Sequence, residues 1–218
     1  FAPMITNRLL DVAISVFGHH GLQGASTRQI AREADSAMSA ITYHYGGKEG
    51  LYLAAADRIA EQLREGMERH LSAAAAVEDD DRDGARDALQ DIFRSLSQKM
   101  TAEDTADHTR FILREQMNPT AAFDHIYDGF MQGMFACMMR LVCIATGVDE
   151  RVAAIVVSAL SGQAMSPRSS RALLLRKLGL GSYDEATRLE IQHVLVDQVD
   201  AMLNNLANKA RPLPKEMQ

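Results

Sequence analysis

Residues Ser26–Tyr45 read STRQIAREADSAMSAITYHY, and this stretch decides the fold around it. Ser26 is placed to cap a helix, and Gln29, three positions on, completes a capping-box pattern, while Ile30, Ala31 and Ala34 give that helix one apolar face. Asp35 and Ser36 supply a turn: Asp tolerates a left-handed backbone better than most residues, and Ser36 is a residue type that caps a following helix. In the second helix Ile41 is expected to face a core with Ala37 and Tyr45, at spacings of four. Met38, Ser39, Thr42 and Tyr43 then point outward. A polar, aromatic-tipped outer face on the second of two short helices suits a DNA groove. The alternative is an amphipathic hairpin packed inside an all-helical core, and periodicity alone allows either.

Working outward, Ile5, Leu9, Val12, Val16 and Phe17 lay an apolar stripe along a preceding helix, and Gly21 stands where a C-terminal cap would end it. Gly46-Gly47 break the second helix of the pair, and Lys48-Glu49 open a long one running through Leu51 to Ala76. Three short helices thus lead into a connecting helix.

The stretch from about Thr6 to Ala55, with STRQIA, AITYHY and GGKEGLY, resembles the DNA-binding domain of TetR-family transcriptional regulators. LREQMNPTAAFDHIYDGF (113–130), SGQAM (161–165) and RALLLRKLGLGSYDEA (171–186) resemble the regulatory domain of the CecR/CerR-like branch. Three departures from the family pattern stand out: Asp35 in place of Gly, Ser36 in place of an apolar residue, and SPRSS (166–170) in place of an aromatic-rich run. The resemblance implies that Thr27 and Lys48 hold phosphates at two helix N-termini and that Tyr43 and His44 contact the DNA backbone. It further implies that Arg28, Ala37, Met38, Ser39, Ala40 and Thr42 approach base edges.

With 47% hydrophobic residues in 218, the chain has enough apolar material for one large or two small domains. Few aromatics, no Trp, five Pro and no sustained apolar/polar alternation favour an all-α fold. The expected organisation is a helix-turn-helix DNA-binding domain over 1–48 and a helical ligand-binding and dimerisation domain over 49–218. Net charge is −6, a balance that opposes broad electrostatic attraction to nucleic acid. Residues 1–60 are neutral, with Arg8, Arg28, Arg32, Lys48 and Arg58 against Asp11, Glu33, Asp35, Glu49 and Asp57. DNA binding must therefore rest on a few placed cations, helix N-termini and dimerisation. The acidic load lies in Glu78-Asp79-Asp80-Asp81, within a loop that is the clearest break in the chain.

Cys137 and Cys143, six apart on one expected helix, point to different sides, so thiols in a reducing cytoplasm are expected. No basic-then-apolar leader opens the sequence, which fits a cytoplasmic protein. The window Gly129–Val148 has the length of a membrane span, but Gln132 and Arg140 interrupt it, and a buried helix is the expectation.

Beyond the acidic loop, helices are expected near 86–99, 104–117, 121–146, 149–164, 170–178 and 183–207. Asn118-Pro119 and Pro167 act as breaks, and the tail ARPLPKEMQ lies outside them. The helix from Ala121 carries Phe123, Ile126, Tyr127, Phe130, Met131, Met134, Phe135, Met138 and Leu141 at helical spacing. Core packing explains such a stripe as readily as a ligand cavity, although Met adapts to irregular ligands. The resemblance favours a small-molecule effector among these helices, with Phe111, Arg114, Phe130, Met131, Met134 and Met138 as candidate lining; Arg114 and its neighbour Glu115 equally suit a surface pair. Two C-terminal helices present apolar faces: Val152, Ile155, Val156 and Ala159 on one, Ile191, Val194, Leu195, Gln198 and Met202 on the other. The family's corresponding pair forms a four-helix homodimer interface, which implies a near-palindromic double-stranded operator.

Catalytic parts do not assemble. GGKEG lacks the Ser/Thr and upstream Gly of a phosphate loop, GLGSYD fails the dinucleotide fingerprint, and Ser161-Gly162 has no nucleophile-elbow context. The His residues are scattered, and a metal site made across helices, for example by Asp124 and Asp128 with a distant His, is outweighed by the reading of these groups as surface residues, so neither cofactor nor metal is expected. The expected function is a sequence-specific DNA-binding regulator, a repressor released by a small molecule. The alternative is a helical small-molecule-binding protein or enzyme that does not bind DNA. Thr42, Tyr43, His44 and Lys48 separate the two, since a hairpin that only packs has no need of a polar, aromatic and cationic cluster.

Overall fold

The computed structural model describes the backbone of residues 2–210 and the side chains of residues 7–209; Ile5 and the tail from Ala210 lie outside those side chains. Every regular element among the described residues is helical. In order they are α1 (Ala2–Gly24), α2 (Thr27–Glu33), α3 (Met38–Tyr45), α4 (Lys48–Ala75), α5 (Arg82–Thr101), α6 (Ala106–Met117), α7 (Ala121–Ile126), a π-turn (Tyr127–Met131), α8 (Gln132–Thr146), α9 (Glu150–Ser169), α10 (Arg171–Leu178) and α11 (Glu185–Ala210). They form two compact units, residues 1–66 with 103–132 and residues 67–102 with 133–218.

In the first unit α6 packs along α1, and α2 and α3 pack on each other. Its core joins Leu9, Ile14 and Phe17 of α1 to Ile30, Ile41, Leu51, Tyr52, Ile59 and Phe111. Phe17 meets the Tyr52 ring edge-on at 4.8 Å, and Phe111 lies on Tyr52 at 4.7 Å. Gly21 breaks α1 as the sequence led us to expect: its φ of 69° and ψ of 176° are not helical. The carbonyls this exposes are taken up by cations, His19 O by Arg114 at 3.1 Å and Gln23 O by Lys48 at 3.1 Å.

The second unit is built on α5 packed against α9 and α11, with Leu89, Ile92, Phe93, Val157, Leu160, Val199 and Leu203 fully buried. Asp149 caps α9 through the Val152 N–H, and Arg140 donates to Val77 O and Asp79, closing the end of α4 and the acidic loop. Cys137 and Cys143 are free and half-buried, and burial pushes both thiols up, away from reactive thiolate.

Two sequence expectations about helix continuity need correction. Pro167 does not interrupt α9, which continues to Ser169. A proline this close to a helix end leaves only the carbonyl four residues back without its bond, and the Pro167 carbonyl itself accepts from Tyr183 Oη at 2.8 Å. Nor is 121–146 one uniform α-helix, because residues 127–131 form the π-turn. Buried Ala122, Ile126, Phe130, Met134 and Met138 recur every four residues, and at 3.6 residues per turn such a stripe drifts by about 40° per step. A wider turn takes up part of that drift. This run, Ala121–Thr146, is long and apolar enough to cross a membrane by length and composition, but its stripe is buried in protein, as in the core helix of a globular fold.

Candidate nucleic-acid interface

The Ser26 hydroxyl accepts from the Gln29 N–H at 3.4 Å, giving α2 its N-cap. The reciprocal half of the capping box does not form, because the Gln29 amide reaches forward to Glu33 Oε1 at 3.0 Å. At the other end of α2, Asp35 N–H bonds to Arg32 O at 3.2 Å and Ser36 N–H to Ala31 O at 2.8 Å. That bond pair is a Schellman motif, and it requires a left-handed residue: Asp35, with φ 52°, takes the place a glycine usually holds. The departures at 35 and 36 thus leave a tight turn intact.

Ser36 is not the cap of α3. Ala37 is the N-cap, in extended conformation and without a side-chain bond, and it is exposed rather than turned to the core with Ile41. The N-cap side chain therefore satisfies none of the first N–H groups of α3, and the Ala40 N–H bonds back to Ala37 O at 3.0 Å. Ile41 is buried and Tyr45 half-buried; burial raises the Tyr45 pKa, so its hydroxyl stays neutral. Gly46, φ 73°, closes α3 through Thr42 O.

Ala37, Ser39, Thr42 and His44 are exposed, Ala40 half-buried, Met38 46% exposed and Tyr43 85% exposed. Tyr43 and His44 meet edge to face at 4.9 Å. On α2, Arg28 is exposed and Thr27 half-buried at the first helical position. No hydrogen bond or ion pair holds the Arg28 guanidinium among the described residues, whereas Arg32 lies 4.0 Å from Glu33. Lys48 is half-buried, and its bond to Gln23 O ties the start of α4 to the end of α1. All ten residues that the sequence assigned to DNA lie in the first unit, on α2, on α3 with its N-cap, or at the start of α4.

Two further residues shape this unit without a local sequence signal, Gly50 first. A Cβ there would lie 1.8 Å from the Tyr45 carbonyl oxygen, so only glycine lets the first turn of α4 cross the end of α3. Glu115 is the second, a core residue rather than half of a surface pair. Buried to 1% exposure, its carboxyl group accepts from Tyr52 Oη at 2.5 Å and from both the N–H and hydroxyl of Thr120, at 3.0 and 2.8 Å. Burial first, and this bond second, raise the Tyr52 pKa far above its ordinary value.

Of the residues assigned to a ligand cavity, Phe111 is fully buried against Tyr52 and Arg114 is exposed and bonded to His19 O. Phe130 is buried and Met131 half-buried in the first unit; Met134 and Met138 are buried in the second. The assigned dimer faces are on α9 and α11. Val156 and Leu195 are buried, Val152, Ile191 and Met202 half-buried, Ala159 and Gln198 exposed, and Ile155 and Val194 are 63% and 57% exposed. A groove of about 810 Å³ runs beside them, lined in part by Ala159, Leu178, Ile191 and Val194. Among the described residues no group of three His, Cys, Asp or Glu is placed to hold a metal ion.

A capped short helix, a Schellman turn and a second helix with an exposed polar face and open N-terminus define a helix-turn-helix DNA-binding protein. The family model for bacterial regulatory proteins of the tetR family matches residues 9–55, and that for the C-terminal domain of the HTH-type transcriptional dual regulator CecR matches residues 85–206. The chain belongs to the TetR family of transcriptional regulators and carries the CecR-type C-terminal domain. It is 30% identical to the dual regulator CecR of Shigella flexneri over 93% of each chain. It is 38% identical to the regulatory protein RaaS of Mycobacterium tuberculosis over 34% of this chain and 32% of that one. The same fold is seen in a TetR-family regulator of Streptomyces coelicolor (TM-score 0.64, 14% identity, 94% and 97% of the two chains). It is seen again in the regulator FadR of Bacillus subtilis, solved in complex with stearoyl-CoA (TM-score 0.61, 16% identity, 94% and 100%). The protein is a DNA-binding transcriptional regulator.

Proposed function

We infer that residues 1–48 read one half of a near-palindromic operator, that two copies paired through α9 and α11 read the whole, and that a small molecule held by the part from residue 49 onward releases them. The protein is then a ligand-released repressor acting in the cytoplasm, with efflux or detoxification genes the natural targets of an apolar or amphipathic effector; no catalytic step enters. The observation that carries the DNA half is the exposed surface of α2 and α3, with an uncommitted Arg28 and Lys48 at the next helix start. Thr27, Tyr43, His44 and Lys48 are assigned to phosphates, and Arg28, Ala37, Met38, Ser39, Ala40 and Thr42 to bases. Pairing is supported by Ile155 and Val194, large apolar side chains more than half exposed on adjacent surface helices. The effector is assigned to the Met- and Phe-rich run of residues 123–141, on composition and family membership.

Selection from random duplexes tests the DNA half: a near-palindrome with half-site centres about 34–36 Å apart, or a multiple, is expected. Lys48→Ala should weaken all sequences alike and lower the salt dependence, while Arg28→Ala should relax preference at one position. For the effector, candidate compounds are titrated while melting temperature and operator affinity are followed together. A ligand that prefers one of two states by about 1–3 kcal/mol changes operator affinity about 5- to 150-fold. Compounds that raise the melting temperature but never change DNA affinity would show that the bound effector is not a switch.

A further inference from the structure

The outer surface of α3 carries no group able to make a forked hydrogen bond to a base. From its N-cap through its first turns it presents the Ala37 methyl, the Met38 thioether, the Ser39 hydroxyl, and the hydroxyl and methyl of Thr42. Forked contacts to guanine need Arg or Lys, and to adenine Asn or Gln, and none stands between Ser36 and Tyr45. His44 lies in the last turn of α3, paired with Tyr43, away from the N-terminal end that meets base edges. On α2, the Gln29 amide is committed to Glu33 and Arg32 lies 4.0 Å from the same carboxylate, which leaves the exposed Arg28 as the fork of α2 with no hydrogen bond or ion pair among the described residues. What α3 offers instead is apolar contact, and the base that rewards it in the major groove is thymine, through its C5-methyl group.

We propose that each operator half-site contains a single guanine read by Arg28 beside thymines read through their methyl groups by Met38, Ala37 and Thr42. This rests on the assignment of α2 and α3 as the DNA-reading helices and adds the chemistry of the bases they read. Specificity of this kind is spread over several weak contacts, since one buried methyl changes affinity about fourfold, whereas the guanine fork changes it about 5- to 150-fold.

The experiment uses the full chain and the operator recovered from random duplexes. Each thymine is replaced in turn by deoxyuridine, which keeps the pairing and removes only the methyl, and each guanine by 7-deazaguanine, which removes the N7 acceptor. Expected are a loss of about fourfold at two or more thymines per half-site and a larger loss at one guanine. On the uracil-bearing operator, Met38→Ala or Thr42→Ser should then cost nothing further at the matching position. Because the methyl is removed from the DNA, the result does not depend on any variant folding. A motif that responds to Arg28→Ala but is indifferent to uracil at every position overturns this proposal and leaves the DNA-reading helices in place. Recovery of no motif at all is the failure of that assignment itself.

Discussion

Glu115 is a carboxyl group with almost no exposure, taking hydrogen bonds from Tyr52 and twice from Thr120. Removing it leaves the buried Tyr52 hydroxyl without an acceptor and takes both bonds from Thr120, an exposed residue, whereas Tyr52→Phe removes one donor and its bond together. Glu115→Ala should therefore cost at least about 3 kcal/mol in denaturant unfolding, and Tyr52→Phe about 1 kcal/mol. Near-equal losses would show that the carboxyl group is not the hub. Gly50→Ala is the second residue-scale prediction: with 1.8 Å between the new methyl and the Tyr45 carbonyl oxygen, the end of α3 must move. Operator affinity should fall more than tenfold while Lys48 and Arg28 remain in place. Neither role was legible in the sequence. Glu115 in LREQMN looks like any helical surface acid, and the third glycine of GGKEG looks like loop composition until two chain segments are seen crossing. By contrast Ser26, Asp35, Ile41 and Gly46 were legible because caps, left-handed turns and core faces are local events whose chemistry lies within a few positions of the residue itself.

At the scale of elements, α6 meets α4 through His108, whose Nε2 lies 2.5 Å from Gln62 Oε1. A carbonyl partner there means Nε2 carries the hydrogen, so a second proton would have to enter at Nδ1, which is buried and has no partner among the described residues. Burial lowers the His108 pKa, Arg58 adds to this, and the acids Asp11, Asp107 and Asp104 oppose it without reversing it. The sign follows: the unfolded chain takes the proton near pH 6.5 and the folded one only at lower pH. The contribution to stability is then complete above about pH 6.5 and is lost as pH falls from there toward the folded pKa. Melting temperatures at pH 7.5 and 5.5 should differ more for the natural protein than for His108→Gln, and an unchanged difference would remove His108 from the pH response. Element types and order were legible because the apolar stripes are long and Pro or Gly punctuates them. The π-turn was missed although its signal was present. An apolar repeat of four sustained from Ala122 to Met138 does not stay on one face of a plain α-helix.

For the whole molecule, the exposed Ile155 and Val194 bear the prediction on assembly. Ile155→Asp or Val194→Asp places a charge on a surface helix, so the monomer should still fold with a cooperative transition, its melting temperature lower only by what pairing contributes. Light scattering should give a monomer, and operator affinity should fall at least about tenfold; a dimer that survives both changes is held elsewhere. The division of the chain into units was the least legible feature, because it is made by contacts between residues far apart in sequence. The first unit takes residues 1–66 and then 103–132, so the apolar face of α1 that includes Leu9 and Phe17 is completed by Phe111 and Ile112 of α6. On the ribosome, the helix-turn-helix emerges long before the segment that finishes its core. Some 36 residues belonging to the other unit must be synthesised in between, and α1 waits with the part of its apolar face that α6 covers still open, the kind of exposure that recruits chaperones. A gene fragment ending at residue 66 should accordingly yield a protein without a cooperative melting transition, and one ending at residue 132 is the shortest N-terminal piece that contains everything the first unit is made from.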